Sequence, residues 1–199
     1  MFRFLYLISY PFLRLFLPCK VVNRKNYLKK QPAIVVCNHL SNLDVIYLVS
    51  YIYEKKYFLA KKELFNTKIK NKFLRHVGGI PIDRNSSDIT AMKNCLNVLK
   101  KGKKLVIFPE GTRNKQNTDL QEVKNGSVMF AIKARVPIIP MRIEKRGKWF
   151  RRNKLIIGES FELSEFYGQK LTSEVLDQAS LELVKHLNEL EGSELKKIK

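Results

Sequence analysis

Ala33-Ile34-Val35-Val36-Cys37-Asn38-His39-Leu40-Ser41-Asn42-Leu43-Asp44 joins an apolar run to a polar one that holds a histidine and an aspartate. Residues 33–37 are apolar and mostly β-branched, which reads as a short buried strand. Residues 45–49, Val-Ile-Tyr-Leu-Val, read as a helix interior. His39 and Asp44 therefore sit just past the carboxyl end of a strand, where open α/β sheets place their ligand sites. Five positions along one regular helix are roughly 140° of rotation, so the two side chains would point apart. They meet only if His39 stays in the loop and Asp44 enters the first helical turn. Ser41-Asn42-Leu43-Asp44 favours that arrangement, since it fits a capping box with Ser41 as N-cap and Asp44 three residues on.

Two readings of the pair stand side by side. In the plainer one, Asp44 is a capping residue and His39 a polar loop residue. In the other they form a dyad. A carboxylate bonded to one ring nitrogen fixes the tautomer and holds the imidazolium, leaving the other nitrogen to take a proton from a hydroxyl. No second His or Cys stands at a spacing that would complete a metal site, so no metal and no cofactor is expected.

At 199 residues the chain suits one domain with a sizeable core, and no linker, repeat or low-complexity segment divides it. Its charge is unusual: 38 Lys and Arg against 18 Asp and Glu, a net +20. The first acidic residue is Asp44, and residues 159–199 hold nine acids against five bases, so the positive charge lies before them. Such a field suits an anionic lipid surface, nucleic acid or an acidic carrier protein. Cys19, Cys37 and Cys95 are odd in number and lack metal or redox spacing, which reads as reduced thiols in a cytosol-facing protein.

Residues 2–17 are the most apolar part. A membrane span needs about 20 largely apolar residues. Here Arg3 and Arg14 bracket the run and Pro11 interrupts it, while Arg3, Tyr6, Tyr10 and Arg14 share one helical stripe. A kinked helix lying in the membrane interface fits better than a span. A terminal helix packed on the domain is the alternative. Lys20, Arg24, Lys25, Lys29 and Lys30 follow, as head-group contacts would. The expected division is a membrane-associating segment 1–30 and a domain 31–199.

Farther on, Tyr57-Phe58-Leu59-Ala60 reads as a short strand and 61–76 as a basic helix, either surface-binding or simply solvated. Gly78-Gly79-Ile80-Pro81-Ile82-Asp83-Arg84 offers close backbone approach or positive φ, then an extended piece aiming Arg84. Residues 86–101 read as an amphipathic helix capped by Ser86 or Ser87 and stopped at Gly102. Lys104-Leu105-Val106-Ile107-Phe108 is a strand ending at Pro109, and Glu110-Gly111-Thr112-Arg113 a polar loop beyond it. Arg113 supplies a donor fork that suits phosphate. Lys124 stands beside a helix expected over 126–134, an anion-binding arrangement. Residues 136–143 are extended, and Pro137 and Pro140 mark an edge or irregularly paired strand. Basic and aromatic residues mix over 142–154, around Trp149 and Phe150, which suits a membrane interface or nucleic acid. A last strand, 155–157, precedes a closing helix over 172–191 with an acidic face.

Each motif is modest; their order is specific. NHLSNLD at 38–44, GGIPIDR at 78–84, FPEGTR at 108–113 and VPIIP at 136–140 resemble the four blocks of the 1-acyl-sn-glycerol-3-phosphate acyltransferase family. VKNGS at 123–127 fits the segment between the third and fourth blocks, and the resemblance spans about residues 33–143. Pro81 stands where many members have an aromatic residue.

The resemblance implies an α/β fold: a mixed, mostly parallel sheet flanked by helices, with an N-terminal helical membrane anchor at the cytoplasmic face of the cell membrane. It implies acyl transfer from an acyl-carrier-protein or acyl-CoA thioester to the sn-2 hydroxyl of lysophosphatidic acid, forming phosphatidic acid. His39 would be the general base and Asp44 its partner. Gly79, Arg84, Glu110, Gly111, Thr112, Arg113 and Lys124 would bind substrate, the cations holding the acceptor phosphate. Oxyanion donors would come from amides near Gly78-Gly79-Ile80 or from the helix starting at Ser41. Reaction in a ternary complex is expected, with Cys37 as strand core rather than nucleophile. Two rivals remain open: another acceptor (glycerol-3-phosphate or another lysolipid), and a basic membrane- or nucleic-acid-binding protein without turnover.

Overall fold

The computed structural model describes residues 2–27, 30–52, 54–83, 88–111 and 123–195. Within them one seven-stranded sheet runs in the order β1-β7-β6-β2-β5-β3-β4. The strands are β1 (Cys19–Val22), β2 (Ala33–Cys37), β3 (Lys56–Lys61), β4 (Gly79–Ile82), β5 (Lys104–Ile107), β6 (Ile138–Ile143) and β7 (Asn153–Ile157). All neighbours pair parallel except β6 and β7, so the sheet is mixed and mostly parallel, as the family resemblance implied.

β2 is buried along its whole length. Val35 and Cys37 face one core with α2 (Asp44–Ser50), while Ile34 and Val36 face a second core with α4 (Ile89–Lys100), α5 (Gly126–Ala134) and α6 (Ser173–Leu195). A strand covered on both faces reads as a continuous apolar run, which is why this one was legible. Each such Ile or Val contributes about 1.5–3 kcal/mol of burial.

Several expectations change. Pro140 does not make β6 an edge strand, for β6 lies between β2 and β7. Ile138, Pro140 and Arg142 turn their backbone polar groups away from β2. The Pro140 carbonyl accepts from Gly158, just past the end of β7, but the proline has no N–H to return the bond; the regular β6–β7 ladder stops at Met141–Ile157 and the strand is irregularly paired, the other arrangement the prolines allowed. Pro81, by contrast, does sit on the edge strand β4. The expected basic helix over 61–76 is a 3-10 turn, Lys62–Phe65, followed by α3 (Lys68–His76) capped by Thr67. Asp88 caps α4 by accepting from Ala91 N–H; Ser86 and Ser87 lie outside the described residues. Gly78 needs its glycine twice over: its φ is +103°, and a Cβ there would lie 2.2 Å from the Lys56 carbonyl oxygen.

Segment 1–30 joins the sheet, because β1 pairs with β7. Its helix α1 (Phe2–Phe16) runs through Pro11. The tyrosines of the expected stripe pack on the domain: Tyr6 stacks on Tyr10, Tyr10 meets Tyr51 edge-on, and the Tyr51 hydroxyl donates to the Leu17 carbonyl. The opposite side, with Leu7, Ile8, Phe12 and Leu15, stands exposed. Among the described residues no helix is long and apolar enough to cross a membrane.

At the amino end of the sheet, far along the strands from His39, two lysines are fully buried. Lys104 Nζ donates to the Gln31 carbonyl and pairs with Glu54 at 3.0 Å; Lys56 Nζ donates to the Ile52 and Glu54 carbonyls. Burial pushes Lys56 down to about 7.

Candidate functional site

His39 leaves β2 and Asp44 opens α2, and their side chains meet: Nδ1 lies 2.9 Å from Asp44 Oδ2. Asp44 is fully buried and its carboxylate is surrounded by donors. Oδ2 also accepts from the Leu40 and Ser41 amides at 2.6 Å each, and Oδ1 from the Ser41 hydroxyl at 2.9 Å. An ionised carboxylate only accepts, so the proton between it and His39 belongs to Nδ1. The Nε2 lone pair is then available. The back-bond from Asp44 to the Ser41 N–H is the reciprocal half of the expected capping box. The other half differs, for Ser41 Oγ accepts from Leu43 N–H and the regular helix begins only at Asp44.

β5 lies next to β2 and supplies the second wall. Phe108, just past its end, stacks on the His39 ring with centroids 4.1 Å apart. Glu110 is buried, and its Oε1 accepts from the His39 backbone amide at 3.3 Å, while among the described residues none bonds Oε2. Burial raises the Glu110 carboxyl; the His39 amide and ring oppose that, and the Asp44 charge adds to it. Gly111 adopts φ +67°, and a Cβ there would lie 3.0 Å from the Lys124 side chain, which crosses this turn. The Lys124 amide donates to the Pro109 carbonyl, fastening that crossing.

A cavity of about 330 Å³ opens at His39 and runs between the ends of β3, β4 and β5 and the helices α4 and α5. Leu59, Met92, Cys95, Met129 and Phe130 make much of its wall apolar, while Asp83, Asp88, Gly111, Lys124 and Ser127 add polar groups. An apolar slot with a few convergent polar groups at a histidine suits an amphiphile with one reactive hydroxyl or carbonyl. Among the described residues no three His, Cys, Asp or Glu side chains gather as a metal site.

The site residues expected from sequence divide into three groups. His39, Asp44, Glu110, Gly111 and Lys124 come together. Gly79 does not: it begins β4, and a Cβ there would lie 2.9 Å from the Leu74 carbonyl, so it serves helix–strand packing, whereas Ile82 and Asp83 at the other end line the cavity. Arg84, Thr112 and Arg113 lie outside the described residues. Of the amides offered as oxyanion donors, those around Asp44 and that of Gly78 are already engaged. Leu40 and Ser41 donate to Asp44, Leu43 and Asp44 to Ser41, and Gly78 to the Arg75 carbonyl. Cys37 is fully buried, its thiol held well above its usual range by burial, and it takes no part in lining the cavity.

Two positioning residues went unread in the sequence. Asn38 exchanges two hydrogen bonds with the Ile143 backbone, extending the β2–β6 pairing by one side chain. Phe108 covers one face of the imidazole. An amide residue directly before His39 was the available signal for the first; the second had none, since an apolar residue at a strand end is ordinary.

The acyltransferase family model matches residues 18–144. The 1-acyl-sn-glycerol-3-phosphate acyltransferase of Bacillus subtilis is 32% identical over 157 residues, 74% of this chain and 75% of that one. The chain belongs to the 1-acyl-sn-glycerol-3-phosphate acyltransferase family. The Helicobacter pylori enzyme of the same name is 32% identical over 168 residues, covering 79% of this chain and 70% of its own. The crystal structure of the 1-acyl-sn-glycerophosphate (LPA) acyltransferase PlsC from Thermotoga maritima shares the fold with a TM-score of 0.70 at 24% identity, over 96% of this chain and 78% of the other. As a member of this acyltransferase family the chain is an enzyme, which sets aside the reading as a basic protein without turnover.

The family site carries a stability cost that can be measured. A carboxyl raised in the folded state holds more protons folded than unfolded, between its unfolded and folded pKa values. Stability therefore falls as pH rises from the ordinary carboxylate range through the folded value. Glu110→Gln keeps an acceptor for the His39 amide and removes the titration. It is expected to flatten that fall and to raise the neutral-pH Tm. Thermal unfolding of both proteins across pH 4–8 checks this, and parallel curves would refute the assignment to Glu110.

Proposed function

We propose that the chain transfers a fatty acyl group from a thioester, acyl-carrier-protein or acyl-CoA, to the sn-2 hydroxyl of lysophosphatidic acid, giving phosphatidic acid. The observation that carries this is the His39–Asp44 pair at the mouth of the apolar cavity. The acceptor hydroxyl is a weak nucleophile and needs a base at the moment of attack. His39 Nε2 takes its proton while the oxygen attacks the thioester carbonyl, and Asp44 holds the resulting imidazolium. Collapse of the tetrahedral intermediate breaks the C–S bond. The departing thiolate takes the proton back from His39, so base and acid are one residue and no acyl-enzyme forms.

The acceptor phosphate needs cations near the cavity mouth. Lys124 stands there beside Gly111, and Arg84 and Arg113 are assigned to the same task from their motifs. Glu110, Gly111 and Thr112 shape that end of the site. Residues 1–30 bring the chain to the cytoplasmic face of the membrane through the exposed side of α1, and 31–199 carry the chemistry.

The test is acyl transfer by the detergent-purified protein to lysophosphatidic acid, with each donor supplied separately. Product with either donor supports the reading; product only with glycerol-3-phosphate or an uncharged lysolipid overturns the acceptor. Arg113→Ala is expected to raise KM for the phosphorylated acceptor about tenfold or more with a smaller change in kcat. An unchanged KM would remove Arg113 from the phosphate site.

A further inference from the structure

The connection between β6 and β7, residues 144–152, carries two aromatics that the chemistry above does not use. Trp149 is 55% exposed and Phe150 68% exposed. Phe150 also holds a left-handed backbone, φ 59°, which a bulky side chain adopts only when its surroundings impose it. The imposing contact is with α1: Phe150 N–H donates to the Phe16 carbonyl at 2.6 Å, and the Phe16 ring meets both Trp149 and Phe150 edge-on. The base of the turn is clasped by Asn153, whose side chain both donates to and accepts from the Lys145 backbone. Two exposed rings are thus held rigidly against the end of the helix whose Phe12 and Leu15 are 61% and 66% exposed.

We infer that residues 144–152 form a second lipid-inserting element, continuous with the exposed side of α1, whose occupant is an anionic membrane surface. This rests on the proposal that α1 lies on a membrane. Charge selects the occupant. Arg14, Lys20, Lys148, Arg151 and Arg152 border the apolar side chains and are exposed, while the one acid in the turn, Glu144, is paired with Lys154 and Lys145. Trp and Phe among Lys and Arg match the interfacial layer of a bilayer, where rings sit at head-group depth and cations meet lipid phosphates.

The same turn touches the dyad loop. Arg146 Nε donates to the Leu40 carbonyl at 3.0 Å, and Leu40 N–H is one of the donors to Asp44. Gly147 lies so close to α2 and its lead-in that a Cβ would come within 2.9 Å of Leu43 and 3.0 Å of Tyr47. The lipid-facing turn and the His39 loop therefore share a wall, and the opening beside His39 is held at a fixed relation to the bilayer from which an amphiphilic substrate arrives.

Trp149 is the chain's single tryptophan, so its emission reports on this turn alone. The full-length protein is mixed with phosphatidylcholine vesicles, with and without phosphatidylglycerol, and with the same lipids brominated on their acyl chains. Expected with phosphatidylglycerol are co-sedimentation, a blue shift and quenching by bromine. Co-sedimentation with unshifted, unquenched emission overturns the inference and leaves α1 as the contact. Failure to sediment overturns both. A shift produced by soluble acyl-carrier-protein and absent with vesicles assigns the turn to an acidic protein instead and overturns the lipid. Phe150→Gly suits the left-handed backbone and removes the ring, and should weaken vesicle partitioning about tenfold at unchanged or higher Tm. Unchanged partitioning of that folded variant also overturns the inference.

Discussion

His39→Ala is expected to lower kcat for acyl transfer by roughly 10²–10⁴-fold while KM for both substrates moves little. The reasoning is geometric. The ring is fixed on three sides: Nδ1 by Asp44, one face by Phe108 and its backbone by Glu110. Among the described residues none bonds Nε2, and the ring lines the cavity. Because the ring is partly exposed and its truncation leaves Asp44 three other donors, the fold should survive. Steady-state kinetics with far-UV circular dichroism separates the two effects. A folded variant with near wild-type kcat would end the general-base assignment.

Asp44→Asn is expected to cost a comparable factor in kcat, roughly 10²–10⁴-fold, for a different reason. An amide oxygen in the place of Oδ2 still accepts from His39, Leu40 and Ser41, so the loop keeps its shape. The neutral group no longer holds the imidazolium that forms during attack. Loss of charge-assisted bonds should lower stability by about 1.5–3 kcal/mol. Asp44→Ala goes further, leaving the Leu40 and Ser41 amides without their acceptor at about 1–3 kcal/mol each where buried. The paired comparison decides the role. If Asn loses kcat while Ala alone loses most of the stability, Asp44 acts through His39. If both lose stability and Asn keeps kcat, Asp44 is a structural cap and the plainer reading of the sequence was the right one.

Much of the site was legible because its central contact is local. His39 and Asp44 are five residues apart, and a strand, a loop and a helix start leave one arrangement in which they touch. The signals for β5 and α4 were equally local, an apolar run in one and an amphipathic repeat in the other. The errors share one cause. The missing donor of Pro140 leaves an edge strand and an irregularly paired inner strand equally open, and only the presence of β7 beside it selects the second. Gly79 was read as a substrate contact from its motif, but its close neighbour is the Leu74 carbonyl. The helix start at Ser41 is one of two candidate sources of oxyanion amides in the sequence, but the Ser41 and Leu43 amides are taken by Asp44 and by Ser41 itself.

From sequence alone came the strand–loop–helix that carries His39 and Asp44, the order of the four motifs, the acyltransferase family and the amphipathic character of α1. These depend on residues adjacent in the chain, where spacing and periodicity set direction. Tertiary structure decided the rest. Glu110 reaches the His39 amide across 71 residues, Asn38 clamps Ile143 across 105, and Arg146 reaches Leu40 across 106. It also decided that α1 turns Tyr10 inward against Tyr51 and Leu7, Ile8, Phe12 and Leu15 outward. A helical stripe states which residues share a face; only the elements packed against it determine which face water or lipid will meet.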